Sequence, residues 1–349
     1  MKFIFTQNLT LIAVLLVLTI TTLAGNPPVN TGVSDQKVGS FLAFPYYTSK
    51  LGTDTRITIS NVGDNPATVH LFLVDQSCNQ ADSFLCITPN GSQTFLASEY
   101  DPENMGYVLA VAVDDLGRPY QNNVLVGNAF VQDGNYVGNY GAEAFWAHRF
   151  NVADINIETM EATLYFYTTD CDHICGYDAF PSEFIAEVQS PNDTIGQKIV
   201  VSGLAGSLVH NDGLAAASSQ VGIGIAYNND ERAGSYGSPF TGTCQKNFVI
   251  DTRTPRVPGG LGNQAGLSTP LIPSGKTGTL KWSVGGGAAG IIMTPKGNGN
   301  KWSGIRTLHK TALKQGLLTI PILPPNFGGA ACAGELDINP GADDKNPQG

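Results

Sequence analysis

The chain has 349 residues, of which 14% are charged, and its formal net charge of −10 gives a pI near 4.8. This acidity excludes nucleic-acid binders, which need a basic face to displace counterions. The hydrophobic fraction of 42% is enough for a packed core, and 41 glycines with 20 prolines favour a turn-rich β protein over a helical bundle.

Residues 1–25 are predicted to be a cleaved secretory signal. Lys2 precedes a charge-free apolar run from Leu9 to Leu23, and small residues close that run. A membrane anchor is disfavoured because about 15 such residues fall short of the roughly 20 that span a bilayer. We therefore expect a secreted or cell-surface protein, with the periplasm as an alternative, and no membrane span in the mature chain.

The first β-sandwich domain is predicted over residues 38–135, after a polar linker at 26–37. Thr55–Ser60 alternates apolar and polar residues, which is typical of a strand with one buried face. Further strands are predicted at Phe41–Tyr47, Thr68–Val74, Gly106–Val113 and Val124–Val131. Short strands separated by polar turns are typical of a β-sandwich.

A helical connection is predicted at residues 136–154, because Gly141–His148 is rich in Ala and Glu and contains no internal Gly or Pro. A second β-rich domain follows at 155–327, and a flexible tail at 328–349. Its predicted strands include Ala162–Thr168, Lys198–Ser202, Val221–Tyr227, Phe248–Asp251, Gly278–Val284, Gly290–Thr294 and Leu317–Leu323. The predicted fold is all-β, with two Ig-like β-sandwich domains, long Gly/Pro loops and one short helix; a single elaborate sandwich is the alternative.

The cysteines of an exported chain meet an oxidising compartment, so all six are predicted to form disulfides: Cys78, Cys86, Cys171, Cys175, Cys244 and Cys332. Short loops favour the pairs Cys78–Cys86 and Cys171–Cys175, which leaves Cys244–Cys332 as the long-range pair. Zinc held by Cys171, His173 and Cys175 is the alternative for that segment.

The segment Ile57-Thr-Ile-Ser-Asn-Val-Gly-Asp-Asn-Pro-Ala-Thr-Val69 resembles the strand–turn–strand of bacterial Ig-like repeat domains. Those repeats occur in exported proteins, often at the cell surface. Ala142–Phe145, Thr279–Trp282 and Thr319–Pro325 are similar to segments of exported bacterial β-rich proteins of no known activity. The resemblance implies an exported β-sandwich and assigns no catalytic residue.

Two groups of side chains are candidate ligand sites. Four acidic residues carry the hard oxygen ligands that calcium prefers: Asp101, Glu103, Asp114 and Asp115. Four aromatic residues could stack on sugar rings: Tyr46, Tyr47, Trp146 and Trp302. Apart from this structural calcium, no cofactor is predicted.

The sequence favours a secreted, non-enzymatic β-sandwich protein with a structural, adhesion or assembly role. A carbohydrate-binding module is the first alternative and an extracellular hydrolase the second. The expected partner is a protein or a surface glycan. Self-association is expected through edge strands, for which Thr55–Ser60 and Leu317–Leu323 are the candidates.

Overall fold

A computed structural model describes residues 32–149, 151–167, 176–191, 196–209, 223–237, 243–250, 271–297, 303–326 and 332. All of these residues belong to one compact unit, Thr31–Gly349. The predicted signal at residues 1–25, most of the linker, the Cys171–Cys175 segment, Trp302 and nearly all of the predicted tail lie outside the described residues.

The described chain is nearly all β, as predicted, with several antiparallel sheets. The first elements are β1 (Phe41–Thr48), β2 (Asp54–Asn61), β3 (Ala67–Asp75), β4 (Gln80–Ile87), β5 (Ser92–Leu96), α1 (Ala97–Tyr100), β6 (Met105–Val113), β7 (Leu125–Asp133), β8 (Tyr136–Gly141) and β9 (Glu143–Phe145). The next are β10 (Ala153–Asn156), β11 (Glu161–Phe166), β12 (Phe180–Gln189), β13 (Gln197–Gly203), β14 (Gly206–Ser207), β15 (Ile223–Asn228) and β16 (Ala233–Gly237). The last are β17 (Gln245–Ile250), β18 (Thr277–Ser283), β19 (Ala288–Thr294), β20 (Gly304–Thr307), β21 (His309–Lys314) and β22 (Gly316–Pro321).

A central sheet, in the order β4-β3-β6-β1-β9, is covered on both faces. The first flanking sheet, β5-β2-β7-β8, packs on one face, where Ile57 and Ile59 meet Leu71 and Val108 in one apolar cluster. The second flanking sheet, β10-β11-β22-β14, packs on the other face. This double cover explains why every residue of β1 is buried, because a strand with two covered faces has no polar side.

The remaining two sheets, β16-β15-β18-β12-β21 and β17-β13-β19-β20, pack around a separate cluster that includes Trp282, Phe184 and Ile199. The predicted β domains at residues 38–135 and 155–327 are called the first and second blocks. Val200 and Met293 of the second block lie on the opposite face of the second of these sheets and belong to the apolar cluster that contains Ile57 and Leu71 of the first block. The two blocks therefore share apolar packing, and their division into separate domains stays a prediction.

The helix predicted at Gly141–His148 is wrong. Glu143–Phe145 is strand β9, which pairs antiparallel with Phe41–Ala43 of β1. Pairing with a buried strand overrides the helical preference of Ala and Glu in so short a segment. The short helix of the described chain is α1 instead, and no helix within these ranges is long and apolar enough to cross a membrane.

Pro45 breaks the ladder of β1, because proline has no N–H to donate. The register between β1 and β6 shifts between Phe44 and Tyr47, and Pro45 and Gly106 are both buried at this bulge. Gln245 Nε2 donates to both carbonyl oxygens, at 3.0 and 2.6 Å, and Ser202 Oγ donates to Pro45 O at 2.8 Å. Polar side chains of the second block thus complete the backbone hydrogen bonding of the first.

The predicted disulfides Cys78–Cys86 and Cys244–Cys332 are wrong, whereas the predicted pair Cys171–Cys175 lies outside the described residues. The structure contains Cys78–Cys244 and Cys86–Cys332, which join residues 166 and 246 positions apart. Antiparallel pairing of β3 with β4 places Cys86 inside a strand and Cys78 in the preceding turn, so Cys78 meets Cys244 of the second β domain and Cys86 meets Cys332 of the predicted tail. Proximity along the chain therefore did not decide the partners.

The two strands predicted as edges are interior strands. β2 pairs with both β5 and β7, and β22 pairs with β11 and, over two residues, with β14. Pro321 is accommodated because β14 pairs only with Leu318 and Thr319, so no ladder partner faces the proline nitrogen from that strand. The turn at residues 61–66 connects β2 and β3, which lie in different sheets.

Candidate functional site

Of the four aromatic residues predicted to bind a glycan, the three that the structure describes do not form a common surface. Tyr46 and Tyr47 are fully buried in β1. The Tyr46 hydroxyl donates to Asp133 Oδ2 at 2.7 Å, and both rings lie within the core. Trp146 exposes 39% of its surface, and Trp302 lies outside the described residues. Alternation of apolar and polar residues identifies a strand with one buried face, so it cannot predict the burial of Tyr46 and Tyr47 in β1, which is covered on both faces.

The acidic residues predicted to bind calcium lie in two separate turns: Asp101 and Glu103 after α1, Asp114 and Asp115 after β6. The Asp101 carboxylate accepts the hydroxyl hydrogen of Tyr47, and Asp114 Oδ2 is 2.7 Å from Arg118 Nη2. Within the described ranges, His, Cys, Asp and Glu side chains form no group of three or more that could hold a metal ion. The structure therefore does not bring the predicted ligands together.

Lys198 lies in a cage between the two blocks. Its Nζ is 2.8 Å from Asp133 Oδ2 and lies over the rings of Tyr46, at 5.0 Å, and Tyr136, at 4.6 Å. An ammonium over aromatic faces is attracted to the negative charge of the π-system. The cage is filled by the chain's own cation, so it stabilises the packing of β13 on β1 and β8.

Two further buried ionic groups also join distant segments. Asp178 accepts hydrogen bonds from Trp146 N at 2.7 Å and pairs with Lys37 Nζ at 2.5 Å and His148 Nε2 at 2.9 Å. Glu143, on β9, pairs with Lys310 Nζ, on β21, at 2.5 Å. Burial raises the pKa of Glu143, and the Lys310 ammonium opposes that rise. Each carboxylate has a cation beside it, as a buried charge requires.

The outer face of the second flanking sheet is the candidate site. Along β11 the chain alternates between two sides, as its sequence predicts. One side is buried against the central sheet and consists of Ala162, Leu164 and Phe166. The other side is partly exposed and consists of Thr163, Tyr165 and, just after the strand, Tyr167.

Tyr165 and Tyr167 lie side by side on this outer face. Their ring centroids are 6.0 Å apart, and the ring planes are inclined by 60°. Tyr165 is paired in register with Leu317 of β22, which is 41% exposed. Burial, followed by the Asp154 carboxylate and the Tyr167 hydroxyl, raises the pKa of Tyr165.

Polar side chains surround the two tyrosines. Thr163 and Thr319 lie opposite each other, with their Oγ1 atoms 3.1 Å apart. On the next strand, Asp154 is in register with Thr163, and Asn156 is in register with Glu161. The outer face therefore presents aromatic rings beside hydroxyl, carboxylate and amide groups. Such a combination can contact both the apolar and the hydroxyl-bearing parts of one ligand.

The adjoining edge of the sheet is open in the described chain. β10 pairs with β11 on one side, and no described strand pairs with its other side. The Tyr165 N–H donates to Val152 O, so alternation directs the N–H and C=O groups of Ala153 and Ile155 towards the open side. An open edge can accept another chain.

Sequence reasoning predicted the strand that carries this face, but not the face itself. The pattern Ala162–Tyr167 separates Leu164 and Phe166 from Tyr165 and Tyr167, which is a usable signal. Both sets are apolar or aromatic, so the pattern does not say which set is exposed. That choice depends on the central sheet covering one side.

A small cavity lies beside Cys244, between Gly203 of β13 and Gly287. Its volume is about 20 Å³, which is space for one water molecule. This cavity is too small to hold an organic ligand.

No protein-family model matches the chain, and no curated protein matches it. Among solved structures, the chain is similar to the crystal structure of Thermotoga maritima 1070, with 17% identity and a TM-score of 0.25 over 31% of this chain and 95% of that chain. It is also similar to the apo form of the Pleurotus ostreatus lectin, with 9% identity and a TM-score of 0.14 over 83% of this chain and 77% of that chain. Red sea bream transglutaminase gives 8% identity and a TM-score of 0.14 over 83% of this chain and 32% of that chain. Likenesses at these scores carry no argument about function.

Proposed function

We propose that this is a secreted, non-enzymatic β protein that acts in adhesion or assembly, and that its contact surface is the outer face of the second flanking sheet. The observation that carries the proposal is the partly exposed pair Tyr165 and Tyr167 beside Leu317 and beside the edge of β10, with which no described strand pairs. Exposed aromatic side chains are favoured anchors of interfaces, because they contribute large contact areas at low entropic cost.

Export is supported by the two disulfides, since disulfides form and persist in oxidising compartments. The signal at residues 1–25, the bacterial origin and the Ig-like arrangement of the sheets belong to the same proposal. A secreted, disulfide-linked β scaffold holds a contact face rigidly, which lowers the entropy lost on binding.

The test measures how much protein is retained by whole cells of the organism that encodes the chain. Leu317→Asp places a charge on the outer face, and its matched control is Leu96→Asp, because Leu96 is 39% exposed on the first flanking sheet. We expect the wild type and Leu96→Asp to be retained, and Leu317→Asp to be lost to the supernatant. Sedimentation velocity over a hundredfold concentration range measures self-association with the same three proteins.

Two results would contradict the proposal. One is a protein that is monomeric at every concentration and is not retained by cells. The other is hydrolysis of a generic ester, peptide or glycoside substrate that disappears when one or two carboxylates are replaced. The second result would instead support the hydrolase alternative.

A further inference from the structure

We infer that the outer face binds a neutral glycan, with Tyr165 and Tyr167 as the stacking residues; this inference rests on the proposed function and names its partner. The two rings lie 6.0 Å apart on the exposed side of one strand, and neither contributes to the buried cluster beneath the sheet. A tyrosine ring provides an apolar face for the C–H groups of a sugar and keeps a polar hydroxyl in water.

The polar groups around the tyrosines suit the hydroxyl groups of a sugar. Thr163 and Thr319 provide hydroxyls that donate and accept, while Asp154 and Glu161 provide carboxylates that accept. Adjacent strands lie about 4.8 Å apart, so Asp154 and Thr319 are each one strand spacing from Thr163, which precedes Tyr165 by two residues. Glu161 lies further along β11, beyond Thr163. A sugar that lies across the strands can therefore stack and accept or donate hydrogen bonds at the same time.

Charge favours a neutral ligand over an anionic one. The Asp154 carboxylate lies beside Tyr165, Glu161 lies further along the same face, and the whole chain carries a formal net charge of −10. An anionic polysaccharide, a nucleic acid or an anionic membrane surface would meet like charge at this face. Neutral hexose and N-acetylhexosamine polymers carry no such penalty.

The same charge disfavours a second copy of the chain on the open edge. Ala153 and Ile155 direct their backbone groups outward, so a two-fold antiparallel pairing centred on β10 places Asp154 opposite the Asp154 of the other copy. Like charges directly opposite each other destabilise a strand pair. Asp154 therefore disfavours this pairing of two copies, and the outer face stays available to a glycan.

The experiment uses the full oxidised chain and three insoluble neutral polysaccharides: cellulose, chitin and starch. Depletion from solution gives the affinity for each, and soluble oligosaccharides of the retained polymer compete for binding. We expect retention by at least one polymer, a loss of tenfold or more for Tyr165→Ala and Tyr167→Ala, and near-wild-type affinity for Tyr165→Phe. Phe130→Ala is the matched control, because Phe130 is a 39% exposed aromatic residue on the outer side of the first flanking sheet.

Three results would overturn the inference. The wild type is not retained by any of the three polymers, or Tyr165→Ala binds as well as the wild type, or Phe130→Ala loses as much affinity as Tyr165→Ala. Retention of the wild type by cells with no retention by the polysaccharides would overturn the glycan inference alone. Failure of both assays would overturn the proposed function as well.

Discussion

Gln245 is expected to be one of the most costly polar residues to replace. Gln245 is 2% exposed, and its Nε2 group donates to Pro45 O and Gly106 O beside the bulge in β1. Gln245→Met keeps the length of the side chain and removes both donated hydrogen bonds. The substitution tests whether the seam between the two blocks depends on this amide.

The expected loss follows from the two acceptors separately. Gly106 O loses the Gln245 amide but stays in register with Tyr47 in the ladder, so the loss is that of one ordinary hydrogen bond, about 1 kcal/mol. Pro45 O keeps its hydrogen bond from Ser202 Oγ, so the loss there is also about 1 kcal/mol. We expect Gln245→Met to lower the free energy of unfolding by about 1–3 kcal/mol.

Chemical denaturation followed by tryptophan fluorescence measures this loss in the oxidised protein. The matched control is Gln93→Met, because Gln93 is exposed and its Nε2 is 3.3 Å from Cys86 O. This control should change the free energy by less than about 0.5 kcal/mol. Ser202→Ala combined with Gln245→Met should cost more than the sum of the single changes, because Pro45 O then loses both of its donors. A Gln245→Met variant as stable as Gln93→Met would refute the reasoning.

Two further predictions concern the disulfides and His70. Peptide mapping without reduction should recover Cys78 linked to Cys244 and Cys86 linked to Cys332, and a Cys78–Cys86 peptide would contradict the structure. Each disulfide should add up to about 5 kcal/mol to the free energy of unfolding, because it lowers the conformational entropy of the unfolded chain. His70 is fully buried with its ring centroid 4.0 Å from that of Phe72 and 4.1 Å from that of Phe84, and burial lowers its pKa despite the Asp82 carboxylate beside it. Because the unfolded chain then binds the proton more readily, the contribution of His70 to stability is present above about pH 6.5 and is lost as the pH falls below it. His70→Phe should remove this part of the slope between pH 7 and pH 5, and an unchanged slope would show that His70 does not cause it.

Much of the first block could be predicted from the sequence, because its strands have strong local patterns. Thr55–Ser60 alternates, and Gly106–Val113 is an unbroken apolar run, so β2 and β6 were predicted within one or two residues. The short strands β9 and β10 were not predicted, since three or four residues carry too little pattern to distinguish a strand from a helix or a loop.

The predictions that are wrong concern features that depend on contacts between residues far apart in the sequence. The disulfide partners of Cys78 and Cys86 are residues far along the chain, Cys244 and Cys332, that tertiary packing brings to β4 and to the turn before it, and loop length does not encode that packing. Exposure of Tyr165 and burial of Tyr46 have the same origin, because both residues lie on strands with aromatic residues on more than one side. Local periodicity predicts that two sides exist, and tertiary structure decides which of them is covered.

The central sheet also constrains the order in which the chain can mature. All five of its strands lie before residue 146, but the cover over one of its faces includes β22, which begins at Gly316. Synthesis begins at the N-terminus, so one apolar face of the central sheet stays uncovered until nearly all of the chain has been synthesised. Truncated products that stop before β22 should aggregate or recruit chaperones during this interval. The Cys86–Cys332 bond can form only after Cys332 has been synthesised, so its presence shows that a chain extends at least as far as Cys332.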